Sequence, residues 1–334
     1  MGKALGWNGL KFTLARILMK IARRGGFLVE AGGTRLWLDS TASEEGFSLI
    51  SHAHSDHFPR GSSRVIATPE TAGVLQLFRN HRVEKMIRYG ETLKLGEVRI
   101  SAYPSGHVVG SSQFLIEADG EKLVYTGDLN TYDSVILEGA KVIESDILLL
   151  EATYGSPRYI FPSREEIYAK IIRWILDTIR RGEVPAFKVY ALGKAQEIIG
   201  IVNAYLEIPV VTSWTITRIT EKLSEHGLSL DYIPLHYPEG LEAFRQGECV
   251  YVSNKRYSPP SKRKLRWGAA TGWALRYRIQ GYDAAFPLSG HADFPGLISY
   301  AEESGARKIY LVHGFAEELS RHLRRRGLLA EALV

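Results

Sequence analysis

Ten chemistry-bearing residues of this chain stand just past the C-terminal end of a short apolar run, and that regularity constrains the fold more than any other feature. They are Asp39, His52, His54, Asp56, His57, His107, Asp128, Glu151, His291 and His313. The runs before them cover residues 35–38, 47–50, 98–103, 122–125, 146–150, 285–288 and 308–312. Apolar runs of this length, bounded by turn signals, read as strands. If the strands are neighbours, all ten side chains converge on one edge of the sheet, where a rigid scaffold carries its site on loops. Six of the ten histidines in the chain belong to this set, a sorting that scattered structural histidines would not produce.

The densest part is Ser51-His52-Ala53-His54-Ser55-Asp56-His57. Imidazole and carboxylate are the usual zinc ligands, and extended backbone points residues two apart to the same side. His52 and His54 are therefore placed to grip one ion, and Asp56 and His57, past the bend, a second. The lone cysteine, Cys249, excludes a disulfide framework and a cysteine-based zinc site, and points to a reducing, cytoplasmic compartment. No apolar stretch reaches transmembrane length. Residues 1–24 carry Lys3, Lys11, Arg16, Lys20, Arg23 and Arg24 without an acid. Leu10, Leu14, Ile17, Leu18 and Ile21 recur at helical spacing there, so this segment reads as a basic amphipathic helix.

The middle of the chain changes period. Residues 164–181 place Ile167, Ile171, Trp174, Ile175 and Ile179 on one helical face. Strand 187–192 leads into a helix from Lys194, and strand 208–211 into a helix near 216–225. Such alternation predicts a small parallel α/β unit.

These residues resemble the metallo-β-lactamase fold and, within it, the β-CASP nucleases. The fold resemblance rests on Asp39, the six-residue cluster, His107 in Ser-Gly-His-Val-Val-Gly-Ser and Asp128 in Thr-Gly-Asp. The subfamily resemblance rests on Glu151 in Glu-Ala-Thr-Tyr-Gly, Gly193-Lys194-Ala195-Gln196-Glu197, His291 in Ser-Gly-His-Ala-Asp, and His313 in Val-His-Gly. It implies an α/β protein, an αββα sandwich with an inserted α/β β-CASP cap. The sandwich would occupy residues 1–154 and 284–334, and the cap 155–283. It also implies two zinc ions, with manganese an alternative. His52, His54 and His107 would hold the first, and Asp56, His57 and His313 the second. Asp128 would bridge them, and Asp39 would hydrogen-bond a ligand imidazole. The implied chemistry is attack on a phosphodiester by water whose pKa two metals lower to about 7. Asp56 and Asp128 serve it through the metals, and His291, charged by Glu151, is the general acid.

The implied partner is a single strand of RNA or DNA. Histidine at 313 is similar to the RNA-processing branch (RNase J and mRNA 3′-end cleavage enzymes) and favours RNA. The short length and Thr271-Gly272-Trp273-Ala274 are similar to ligase-associated DNA exonucleases. Residues 254–282 up to Tyr282 hold eight cations and no acid, interleaved with rings, the usual composition of a single-strand groove. Lys194, Lys255, Arg256, Arg263, Lys264, Arg266, Trp267 and Trp273 are the expected nucleic-acid contacts. The formal charge of +5 suits a polyanion. Two rivals remain: a small-molecule metallo-hydrolase cleaving thioesters or lactones, and a non-catalytic binding subunit. The first would not need the cap or the Glu151–His291 pair; the second would lack bound metal.

Overall fold

The computed structural model describes residues 19–40, 45–58, 64–79, 83–259 and 262–333, and its strands form three sheets. The first sheet runs in chain order: β1 (Lys20–Arg23), β2 (Phe27–Ala31), β3 (Thr34–Leu38), β4 (Phe47–Leu49), β5 (Arg64–Ala67) and β6 (Val83–Met86). The second begins with β7 (Thr92–Leu95), β8 (Val98–Pro104), β9 (Ser112–Ala118), β10 (Glu121–Tyr125) and β11 (Ile147–Glu151). The chain then leaves to build the third sheet from β12 (Val184–Lys188), β13 (Val210–Thr212), β14 (Ile233–Pro234), β15 (Val250–Ser253), β16 (Leu265–Ala270) and β17 (Ala284–Phe286). It returns to finish the second sheet with β18 (Lys308–Val312) and β19 (Ala330–Ala332), giving the order β19-β18-β11-β10-β9-β8-β7.

Why the central runs read as continuous apolar stretches is visible in β10 and β11. Leu123, Tyr125, Ile147 and Leu149 face the first sheet, where Val29, Leu36, Leu38, Leu49 and Ile66 complete one core. Val124, Leu148 and Leu150 face the other way, onto α6 (Phe294–Glu303) and α7 (Ala316–Arg325). A strand buried on both faces needs an apolar side chain at every position. On the far side of the first sheet, α1 (Pro69–Arg79) lays Leu75 against Val65 and Ala67. The result is the helix–sheet–sheet–helix sandwich that the resemblance implies.

The third sheet is wholly parallel, in the order β14-β13-β15-β12-β16-β17. Helices α2 (Arg164–Arg180) and α3 (Lys194–Tyr205) bury Ile171, Ile175, Ile198 and Val202 on it. Next come α4 (Trp214–Ser224) and α5 (Pro238–Gln246), the latter placing Phe244 on the opposite face. Helix α4 also meets the sandwich: Ile219 and Leu223 pack with Val74 of α1 and with Val108 and Leu192.

Two readings of the sequence change. Residues 1–18 of the expected basic helix lie outside the described residues, but Ile21 sits in β1, paired antiparallel with Val29. Its apolar neighbours across the strand, not a helical stripe, explain its burial. Ala284–Phe286, read as a return to the sandwich, is instead the edge strand of the third sheet, with Ala284 beside Gly268.

Candidate metal centre and cleft

Strands β8, β10, β11 and β18 share one direction, as do β3 and β4, so their C-terminal ends meet at one rim of the sandwich. Asp39 follows β3, His52–His57 follow β4, His107 follows β8, Asp128 follows β10, Glu151 ends β11, and His313 follows β18. Only three non-glycine residues among those described have left-handed backbone, and Asp39 (φ 43°) and His313 (φ 64°) are two of them. Backbone of this kind persists where the surroundings over-determine it, and it turns each side chain back over the rim. Gly106 (φ +71°) does the same for His107; a Cβ there would lie 2.3 Å from the Asn130 carbonyl oxygen.

Four donors converge. His52 Nε2 lies 2.9 Å from His54 Nδ1 and 3.5 Å from Asp128 Oδ2, and His107 Nε2 lies 3.4 Å from His54 Nδ1 and 3.5 Å from Asp128 Oδ2. Ligand atoms on a tetrahedral zinc, each ~2.0–2.1 Å from the ion, stand about 3.3 Å apart. Three nitrogens and one oxygen at these spacings fit such an ion. The outer nitrogens are also engaged. His54 Nε2 faces Leu192 O at 3.2 Å, His107 Nδ1 faces Gly290 O at 2.7 Å, and His52 Nδ1 meets Ser51 Oγ at 2.9 Å. The first two contacts come from the third sheet's loops, so the cap orients two of the imidazoles. Burial, reinforced by neighbouring imidazoles, holds His52 and His107 well below the ordinary imidazole range. Burial lowers His54 to about 4. All three rings are neutral at pH 7, the form a metal needs.

The second expected set is looser. His57 Nε2 lies 3.6 Å from Asp128 Oδ2 and 3.8 Å from Asp56 Oδ2. Asp56 is 81% exposed, and the His313 ring stands 6.4 Å from that of His57. His57 and Asp128 are in place, whereas Asp56 and His313 sit on the rim. Behind His57, Asp39 accepts from His57 Nδ1 (2.9 Å), the Tyr125 hydroxyl (2.8 Å), the Ser51 amide (2.6 Å) and the Ser51 hydroxyl. Burial opposes charge on His57, but Asp128 and Asp39 outweigh it and raise its pKa to about 10.

Glu151 is buried, and its oxygens are occupied by Leu129 N (2.9 Å), Thr153 N (2.9 Å) and His291 Nδ1 (2.8 Å). Burial disfavours its charge, yet His291 and these amides hold its pKa down to about 2. Burial likewise disfavours charge on His291, but Glu151 and Asp128 raise it above the ordinary imidazole range. Its Nε2 points at Asp128 Oδ2, 3.9 Å away. The cleft above holds about 450 Å³, walled by Tyr154, Tyr190, Lys194 and Trp273.

Residues 74–154 match a family model described as the metallo-beta-lactamase superfamily domain, and residues 283–328 match a Zn-dependent metallo-hydrolase RNA specificity domain. A probable DNA ligase of Opitutus terrae is 30% identical over 89% of this chain and 29% of its own length. An RNase J-like protein of Methanocaldococcus jannaschii is 30% identical over 52% of this chain and 48% of its own. The endoribonuclease ysh-1 of Neurospora crassa is 40% identical over 36% of this chain and 14% of its own. These matches support the β-CASP nuclease family for this chain. It spans less than half the length of these relatives. The crystal structure of an Enterococcus faecalis protein of unknown function shares the fold, with a TM-score of 0.57 at 16% identity, over 83% of this chain and 78% of that one.

The expected nucleic-acid contacts divide. Lys194 and Trp273 line the cleft. Lys194 is half-buried with its ammonium 3.9 Å from Glu197, and desolvation lowers its pKa to about 8. The others do not line the cleft. Trp267 is 6% exposed in the cap core, against Tyr251. Lys264 and Arg266 pair with Glu183, and Arg266 also with Asp283. Arg263 reaches Gly182 O, and the Arg256 guanidinium covers the Trp267 and Tyr282 rings. The basic run enters at the N-terminal end of β16, whereas the cleft is at its C-terminal end, about 16 Å along a strand of this length. Lys255 lies beyond the cleft, in a second pocket. Three contributors carry no sequence signal of their own: Leu192 O, Gly290 O and the Tyr125 hydroxyl. Tyr190, whose ring lies 5.8 Å from that of His54, sits just past the end of β12 and inside the apolar run 187–192 that the sequence marks as a strand.

Proposed function

We propose that this chain is a metal-dependent hydrolase that cuts phosphodiester bonds in a single nucleic-acid strand held between sandwich and cap. The observation that carries this reading is the Glu151–His291 pair beside Asp128: an imidazole whose charge both carboxylates favour, anchored at one nitrogen by Glu151, next to a metal-ligand set. Thioester or lactone hydrolysis would leave that pair without a task.

Divalent metals, zinc foremost, supply Lewis-acid charge for the phosphate and lower the pKa of water to about 7. His52, His54, His107 and Asp128 would hold the first ion, and His57, Asp128, Asp56 and His313 would supply the donors for a second. His291 keeps its proton on Nε2 and hands it to the leaving oxygen, while Glu151 fixes the ring and stabilises its charge. Tyr190 and Trp273 offer faces for bases, and Lys194 a cation for phosphate.

The sugar is read from two observations. The description of the 283–328 match, together with the ribonuclease names of the relatives, supports RNA. The ligase-named relative aligns over 89% of the chain, a span that takes in most of the cap, and supports DNA. We give DNA precedence because the cap walls the cleft. The deciding experiment is cleavage of matched, labelled single-stranded DNA and RNA by wild type and His291→Ala. Loss of cleavage in the variant at unchanged metal content is expected. Cleavage of neither strand by metal-loaded wild type would refute the nuclease reading.

A further inference from the structure

The cap carries a second concave surface on the same edge as the metal cleft. Its strands are all parallel, so their C-terminal ends form one row. In that row β16 and β12 deliver Trp273 and Tyr190 to the cleft. The next two strands outward, β15 and β13, deliver a pocket of about 390 Å³ between Trp214, Tyr257, His236, Lys255 and Leu241. The backbone joins the two places: Val189 N donates to Ser253 O and Ser213 N to Val252 O, each at 3.0 Å.

Three features of this pocket point to one ligand chemistry. Trp214 and Tyr257 are 58% and 55% exposed, large ring faces without a packing partner over much of their area. No carboxylate lines the pocket. Lys255 makes no ion pair among the described residues, and the Arg218 guanidinium stands 5.7 Å from the Trp214 ring. Tyr251 closes the floor of the pocket, fully buried with its hydroxyl beside Ser253. Ring faces and an unpaired cation match an unpaired nucleobase with its phosphate: stacking for the base and charge for the backbone.

We propose that this pocket is a stacking subsite for a base of the substrate strand, distal to the bond being cut. This rests on the nuclease reading above. From β16 to β13 is three strand spacings, about 14 Å. At ~3.4 Å per stacked nucleotide that is about four nucleotides, fewer where the strand is stretched. The chain thus holds its strand at two points, and length dependence is built into the cap.

The test uses the full chain, Trp214→Ala, Trp214→Phe, and fluorescein-labelled oligothymidylates and oligouridylates of three to twelve nucleotides. Wild-type KM should fall once the strand is long enough to reach the pocket. Trp214→Ala should remove that fall and weaken 12-mer binding, read by anisotropy, roughly 5- to 140-fold, the range for losing one stacked base. Its kcat and KM on the shortest cleavable strand should stay at wild-type values, and Trp214→Phe should restore most of the loss. An abasic residue moved along the 12-mer should cost wild type affinity at one position and cost Trp214→Ala nothing there. Equal 12-mer affinity in wild type and Trp214→Ala, or equal weakening at every length, overturns the proposal. If wild type cuts neither polymer, the nuclease reading fails, and 12-mer anisotropy alone decides the pocket: loss in Trp214→Ala supports it, and no loss or no binding overturns it.

Discussion

Replacing Asp39 with asparagine tests how the centre is built while hardly changing its shape. Oδ1 of Asp39 accepts the Ser51 amide at 2.6 Å, and an asparagine oxygen can still do so. Oδ2 accepts three donors: Ser51 Oγ, His57 Nδ1 at 2.9 Å and the Tyr125 hydroxyl at 2.8 Å. An amide nitrogen in that place accepts none of them. Tyr125 is buried, so leaving its hydroxyl without an acceptor costs about 1–3 kcal/mol. The effect on His57 is more telling. With an amide N–H facing it, Nδ1 must become the acceptor, and the proton of the neutral ring moves to Nε2, the atom that faces Asp128. A protonated Nε2 offers no lone pair. Metal affinity at the His57 position should fall roughly 10- to 100-fold, the usual cost of losing such a support. Affinity of the His52–His54–His107 set should change little. Chelator competition with zinc, followed by counting tight and weak equivalents, separates the two positions. Two equivalents bound by Asp39→Asn with wild-type affinity would refute the tautomer argument.

Other consequences can be measured alongside. Glu151→Gln removes a charge that raises His291; activity should drop about 10²- to 10⁴-fold with metal content unchanged, and the alkaline limb of the rate–pH profile should move to lower pH. Glu151 is depressed to about 2 from 4.5, so its stabilising contribution is present above pH 4.5 and lost as pH falls towards 2. Acid unfolding followed by circular dichroism should therefore steepen in that window for wild type but not for Glu151→Gln. His54, at about 4, is neutral at pH 7, whereas His57, at about 10, is protonated. Calorimetry in buffers of different ionisation enthalpy should show imidazole proton release with the second metal equivalent, whose affinity rises with pH; release tied to the first equivalent instead would contradict the assignment. Gly106→Ala forces a Cβ against Asn130 O and should lower stability by about 1–3 kcal/mol in thermal melts, loosening metal binding through His107.

The convergence of His52, His54, His107 and Asp128 is legible in the sequence because histidines, aspartates and strand ends obey local rules. The run from His52 to His57 and the apolar residues before it give chemistry and scaffold together. The cap was harder to read. Composition located a basic, aromatic stretch but not the direction of β16, and strand polarity puts Lys264 and Arg266 at the end away from the cleft. Trp267 was read as a stacking ring because periodicity cannot separate an exposed aromatic from one buried in a parallel sheet. Trp214 carries no sequence signal, because a lone tryptophan between a strand and a helix has no pattern around it. The supports from Leu192 O and Gly290 O are backbone atoms from loops distant in sequence, and no side-chain motif encodes them.

The pairing of β11 with β18 has a bearing on how the chain matures as it is synthesised. Asp146 and Arg307, which bond at the start of that pairing, are 161 residues apart. Until the far strand emerges, β11 is an open edge carrying Ile147, Leu148, Leu149 and Leu150, the kind of strand that aggregates. The cap is made in the interval, and its parallel sheet can close without the missing strand. His291 and His313 emerge only afterwards. A chain stopped before residue 291 would carry the cluster of His52, His54, His107 and Asp128 without His291 and His313. On the proposed function, the order in which the polypeptide is threaded would then withhold cutting chemistry from incomplete products.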